Sequence, residues 1–215
     1  MSKYRSSIGA AILAAALIFV ALNVGAQIYL KSDLLSAYRI INEQPASFIS
    51  YLFPKYTPAE LKRLYTESWT LPFIYDELTQ FREKPFKGKY VNVDPDGFRH
   101  VNHQGPWPPD PNNINLFIFG GSTTFGYGVA DSETIPSQLQ EMLNRKFGNG
   151  KIKVYNFGRG HYASKQELIL FEKLLMNGHV PHVAIFIDGV NDFFGLRKEL
   201  PYTQTLTEFL NATPL

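Results

Sequence analysis

The chain has no cysteine, which excludes a disulfide framework, a thiolate nucleophile and a Cys-ligated zinc. It also lacks an excess of either charge. Lys+Arg total 21 and Asp+Glu 19, a net of +2, and the charges are scattered along the sequence. No basic stripe is available to neutralise a nucleic-acid backbone, so nucleic acid is not an expected partner. There is no internal repeat. At 215 residues there is room for one domain of about 150 residues plus appendages, but not for two full domains. What the chain does have is apolar bulk: 45% hydrophobic residues, with 17 Phe, 12 Tyr and 2 Trp. That composition builds a core and excludes a wholly disordered chain.

The N-terminus carries Lys3 and Arg5 with no acid before Ser7, and Ile8 to Leu22 is then uninterrupted apolar sequence. As a helix, Ile8 to Leu30 would extend about 35 Å, enough for a ~30 Å hydrocarbon core. A single-span membrane anchor is the expectation. A cleaved export signal is the other reading, because Val24-Gly25-Ala26 places small residues where a signal peptidase would cut, before Gln27. A buried core helix is the third. Lys3 and Arg5 would stay in the cytoplasm, sending the rest of the chain across the membrane, to the periplasmic side in a bacterium. Small residues recur at four-residue spacing in Ala10 and Ala14, Ala11 and Ala15, and Ala21 and Gly25. Such faces allow another transmembrane helix to pack closely, so a membrane partner is expected.

Lys31 to Phe53 reads as a helical continuation ending near Pro45 and then a Pro-punctuated stretch, together a stalk. Thr57 to Trp69 is a short helix with Thr57 as N-cap, Pro58 at the first helical position and Glu60 at the third. Lys89 to Val93 and Phe98 to Val101 are two short strands joined by the turn Asp94-Pro95-Asp96-Gly97. Gln104 to Asn113 (QGPWPPDPNN) can extend neither element and marks a boundary. The expected division is 1–30 anchor or signal, 31–113 stalk and small accessory region, and 114–215 main domain.

Beyond Asn113 strands and helices alternate. Strand Leu116 to Phe119 (LFIF) precedes a helix from Thr134 to Phe147 that buries Ile135, Leu139, Met142, Leu143 and Phe147. Strand Lys151 to Asn156 comes next. A second helix has Ser164 as N-cap and Glu167 closing a capping box, carries Leu168, Phe171, Leu174 and Leu175, and stops at Gly178. Strand Val183 to Ile187 (VAIFI) follows. This alternation predicts an α/β fold with a doubly wound, flavodoxin-like parallel sheet, incomplete as given. In such sheets ligands bind outside the carboxyl ends of the strands.

Those three ends read Gly120-Gly121-Ser122-Thr123-Thr124, Asn156-Phe157-Gly158-Arg159-Gly160-His161 and Asp188-Gly189-Val190-Asn191-Asp192. A Ser on a tight strand-to-helix turn presents its hydroxyl outward, and Gly neighbours let a substrate carbonyl approach the backbone. An Asn amide and a backbone N–H from a neighbouring loop can both face the oxygen that turns negative in a tetrahedral intermediate. Together these blocks describe a nucleophile and its oxyanion hole.

The three blocks resemble those of the SGNH hydrolase superfamily, also called GDSL esterases, over Asn115 to about Arg197. The resemblance implies Ser122 as nucleophile, in Gly-Gly-Ser where the family commonly has Gly-Asp-Ser, a variant associated with membrane-anchored members. It implies Asn191 as oxyanion donor. For the block-two amide it leaves two candidates, Gly160, ranked first, and His161. The implied activity is a membrane-anchored serine esterase or O-acyltransferase acting on an ester-bearing envelope glycan or lipid, with no cofactor. One family feature is missing: the sequence holds no Asp-x-x-His, the block that carries the family's catalytic Asp and His. Of His100, His103, His161, His179 and His182, only His161 is expected at the active rim. A Ser without a general base is a poor nucleophile at neutral pH. The chain is therefore read either as part of a longer hydrolase or as a non-catalytic, single-span accessory subunit.

Other readings are weaker. Gly120 to Gly128 lacks the Gly-Lys-Ser/Thr ending of a P-loop. Gly158-x-Gly160-x-x-Ala163 fits a dinucleotide pattern, but the acidic partner would be Asp188, 30 residues after Gly158 instead of the usual ~20. Asp188 and Asp192 make a thin metal site, and hydrogen bonding that orients the Asn191 loop is the better role for them. Trp69 and Trp107 read as packing, with a sugar platform as the alternative.

Overall fold

A computed structural model of the chain describes residues 13–27, 51–148, 150–187 and 190–195. The chain divides into two compact units, 1–62 and 63–215. In the first, residues 13–27 are helical and their large apolar side chains are exposed. The polar Asn23 satisfies its amide inside this helix, donating to Phe19 O at 2.9 Å. Among the described residues no helix is long and apolar enough to cross a membrane. The span from Ile8 to Leu30 lies partly outside the described residues, and most of the stalk lies wholly outside them. Helix α1 (Pro58–Trp69) begins as its sequence requires: Glu60 N–H donates to Thr57 Oγ1 and Thr57 N–H donates to Glu60 Oε2, the reciprocal pair of a capping box.

In the second unit the accessory region is built from short antiparallel pieces. Strands β1 (Phe73–Asp76) and β2 (Gln80–Glu83) form a hairpin that the sequence pattern did not signal. Its turn is held by Asp76, whose Oδ1 accepts from Leu78 and Thr79 N–H. Burial raises the Asp76 pKa, but Lys173 Nζ at 3.0 Å and the Thr79 amide outweigh it, so the carboxyl sits below its ordinary range. Strands β3 (Phe86–Lys87) and β4 (Asn92–Val93) pair antiparallel. The expected strand from Phe98 to Val101 reduces to isolated bridges at Arg99, one to Val93 and one to Asn156. The turn between them forms as predicted, with Gly97 N–H donating to Asp94 O at 2.8 Å.

The main sheet has order β6-β5-β7, all parallel, from β5 (Ile114–Gly120), β6 (Ile152–Asn156) and β7 (Val183–Ile187). The mixed α/β class with a parallel sheet is thus as the alternation required. Short helix α2 (Ser122–Phe125) follows β5, α3 (Ile135–Phe147) connects to β6, α4 (Ser164–Met176) connects to β7, and α5 (Val190–Gly195) follows it. One core cluster joins Phe117, Phe119, Tyr155 and Phe157 of the sheet region to Tyr162 and Leu170, with Phe81 of β2 and Phe98 closing it. A smaller cluster around Leu116, Ile118 and Val154 takes Leu139 and Leu143 of α3.

Two helices depart from their sequence readings. In α3, Ile135, Met142 and Phe147 are exposed, whereas Ser137, Gln140 and Asn144 are buried. The polar face turns inward because Gln140 serves the sheet: its Nε2 donates to Ile152 O at 3.0 Å and its Oε1 accepts from Val154 N–H at 2.8 Å. In α4, Ala163 is the N-cap, not Ser164, and Gln166, not Glu167, reaches back to it. Leu168 and Leu175 are exposed while Leu170 and Leu174 are buried. Ser164 is displaced from the cap because its N–H and hydroxyl both donate to Asp192.

Candidate active site

Chain reversal at the end of β5 places Ser122 as the first residue of α2, with Gly121 as N-cap and Gly126 in a left-handed C-cap. Ser122 Oγ is half-buried and has no hydrogen-bond partner among the described residues. The turn is clamped from beneath by Arg99, which is fully buried. Its Nη1 donates to Phe125 O and Gly126 O, its Nη2 to Val129 O at 2.6 Å, and its Nε to Asp131 at 3.0 Å. Burial pulls the guanidinium pKa down and Asp131 pushes it back. Asn156, at the end of β6, adds a second clamp: its Nδ2 donates to Thr124 O at 3.0 Å and its Oδ1 accepts from Gly158 N–H. These bonds hold the carbonyl end of α2 and leave its serine end free.

The block-two loop crosses the same rim. A Cβ at Gly158 would stand 2.4 Å from Phe125 N, so this glycine lets the loop lie directly on the backbone of α2. The Gly160 N–H is committed elsewhere. It donates to Glu83 Oε1 at 2.7 Å, and the same oxygen accepts from Tyr127 OH at 3.2 Å. Glu83 is 2% exposed, and burial raises its pKa against the opposing field of Arg159. Gly160, the first-ranked oxyanion donor, is therefore already bonded. His161, the second candidate, differs. Its φ is +62°, the left-handed region in which a glycine is ordinary, and its N–H donates to no described residue. Behind it Tyr162 OH donates to Phe81 O, and burial raises its pKa to about 12, so the phenol stays a neutral donor.

From the β7 side, Asn191 reaches the same place. Its Nδ2 donates to Tyr162 O at 2.6 Å, leaving the second amide hydrogen, and a Cβ at Gly121 would lie 2.6 Å from that nitrogen. Ser122, His161 and Asn191 thus gather at one rim. A side chain at Gly121 would meet the Asn191 amide, so the glycine lets Asn191 approach the turn that carries Ser122. Asp192 takes the orienting role expected of it, fixing the Asn191 turn to the start of α4. A carboxylate at that helix N-terminus also repels a phosphate, which removes the dinucleotide reading. Asp188 lies outside the described residues. Among the described residues no cluster of three or more His, Cys, Asp or Glu could hold a metal.

No histidine bonds Ser122 among the described residues. His161 packs its ring on Phe73, His179 on Trp107, His103 pairs with Glu141 at 3.0 Å, and His182 Nδ1 accepts from Asn115 N–H. His100 lies beside β3 and β4 in a groove with Phe86 and Phe98. The two tryptophans differ. Trp107 packs against Phe98, Phe117, Tyr155 and Phe157, as expected, but Trp69 stands open beside Ser122. Trp69 was read as packing with a sugar platform as the alternative, whereas Arg99 and Glu83 were not legible: only the turn before Arg99 hinted at a structured segment, and nothing marked Glu83. Comparison with protein-family models gives no match, and no curated protein matches the chain either.

Proposed function

We propose that this chain carries the nucleophile and oxyanion hole of an SGNH-type serine esterase or O-acyltransferase, anchored by its N-terminal segment with the α/β domain on the extracytoplasmic side, and acting on an ester-bearing envelope glycan or lipid. The observation that carries the reading is the convergence of an unpaired Ser122 hydroxyl, an unpaired His161 amide and the Asn191 side chain at the carboxyl rim of a parallel sheet. Ser122 attacks the ester carbonyl, and the His161 N–H and Asn191 Nδ2 take the developing oxyanion. No described residue is hydrogen-bonded to the Ser122 hydroxyl as its base. A second reading follows from that same fact, in which the domain is a non-catalytic subunit that binds a membrane partner.

Exogenous base separates the two. Without it, p-nitrophenyl acetate hydrolysis by the chain should stay within about tenfold of Ser122→Ala, because loss of a triad member ordinarily costs several orders of magnitude. With added imidazole, the chain but not Ser122→Ala should gain turnover and carry an acetyl adduct on Ser122 by intact mass. No adduct under either condition assigns the subunit reading.

A further inference from the structure

Beside Ser122 lies a cavity of about 390 Å³ whose lining mixes apolar Trp69, Tyr127, Val129 and Ile135 with polar Thr123, Glu133 and Thr134, within the ~300–1,000 Å³ span of small-molecule sites. Trp69 ends α1 and is 44% exposed; its one ring neighbour among the described residues is Tyr127, at 5.0 Å. Trp69 Nε1–H, Thr123 Oγ1 and Ser122 Oγ have no hydrogen-bond partner among the described residues. An aromatic residue thus adjoins the Ser122 hydroxyl together with two further unpaired polar groups, the indole N–H and the Thr123 hydroxyl. An alkyl chain seated here would pair neither the indole N–H nor the Thr123 hydroxyl, at a cost of roughly 1–3 kcal/mol for each one it buries. A ring with an apolar C–H face and hydroxyls at its edge would satisfy both demands, since the negative face of indole attracts polarised C–H hydrogens and the rim pairs the hydroxyls.

We infer that this cavity is a subsite for a pyranose ring, so that the ester presented to Ser122 is borne by a glycan and not by a lipid. The inference rests on the esterase reading for which bond reacts, and on Trp69 for what is held. The chain contains only two tryptophans, so a nitrogen-15 proton correlation spectrum of the full chain, in a detergent without a sugar headgroup, shows two indole resonances, Trp69 being the one lost in Trp69→Phe. The probes are partially O-acetylated tetrasaccharides of glucose, xylose, mannose and N-acetylglucosamine, with tributyrin as the lipid ester.

At least one tetrasaccharide should move the Trp69 resonance and leave Trp107 in place. Trp69→Ala should weaken that binding by about tenfold or more, followed on the Ser122 region, as expected for an aromatic anchor. An unmoved Trp107 resonance reports that the variant is folded, and Trp69→Phe should retain most of the affinity. If none of the four glycans moves Trp69, or if only tributyrin does, the inference falls. An acetyl adduct on Ser122 without any glycan shift overturns the platform alone. A glycan shift without any adduct overturns the esterase reading and leaves the platform standing.

Discussion

On the outer edge of β6, Gln140 supplies the donor and acceptor that a further strand would have supplied, bonding Ile152 O and Val154 N–H. On the outer edge of β7 no described residue does this, and Val183, Phe186 and Ile187 are more than one-third exposed. An edge strand exposes a row of unpaired amides and carbonyls, which proteins ordinarily cover or blunt. The sheet is therefore closed on the side of Arg99 and Asn156 and open on the side of Asn191. The closed side fixes the turn that carries Ser122. The open side is where a further strand could add, and with it any base that approaches Ser122 from beyond β7.

Substitutions on the two sides should differ accordingly. Arg99→Met should have the largest effect, a loss of roughly 3–5 kcal/mol in chemical denaturation, because it leaves Asp131 and three loop carbonyls without their buried cation. Next is Gln140→Leu, which leaves one buried amide and one carbonyl of β6 unpaired and should cost about 2–4 kcal/mol. If Gln140→Leu is silent, the β6 edge is not closed by this side chain and the comparison fails.

Glu83, which holds the loop after β6, gives a smaller effect that depends on pH. Its folded pKa lies above the unfolded value of ~4.3, so the folded state binds the proton more tightly, and stability falls as pH rises from the unfolded pKa through the folded one. Glu83→Gln keeps the acceptor for Gly160 N–H and removes that loss. The Tm difference, variant minus wild type, should therefore grow between pH 4.5 and 8. A flat difference would mean that burial does not raise the Glu83 pKa in the folded state. The smallest effect is expected for Val183→Lys on the open side, within about 0.5 kcal/mol, as for exposed positions generally.

The parallel arrangement of β5, β6 and β7 was legible because the strands alternate with helices that stop near a glycine. The placement of Ser122 and Asn191 at the strand ends was legible because short motifs there carry their own context. The polar inward face of α3 was not: apolar periodicity assigns Ile135 and Met142 to the core, and only the three-dimensional position of β6 shows that Gln140 has a backbone to serve. Which of the Gly160 and His161 amides is free was equally hidden. It turns on Glu83, about 77 residues earlier in a hairpin without a strong strand pattern, which takes the Gly160 amide and leaves the next one free.

A crystal structure of the chain with benzeneboronic acid is the most direct test of the proposed oxyanion hole, since a boronate forms a tetrahedral adduct on a serine hydroxyl. The arrangement described here predicts boron bonded to Ser122 Oγ, with one boronate oxygen within about 2.7–3.1 Å of both His161 N and Asn191 Nδ2. Boron bonded to another residue, or an oxygen held by Gly160 N with Glu83 displaced, would contradict it.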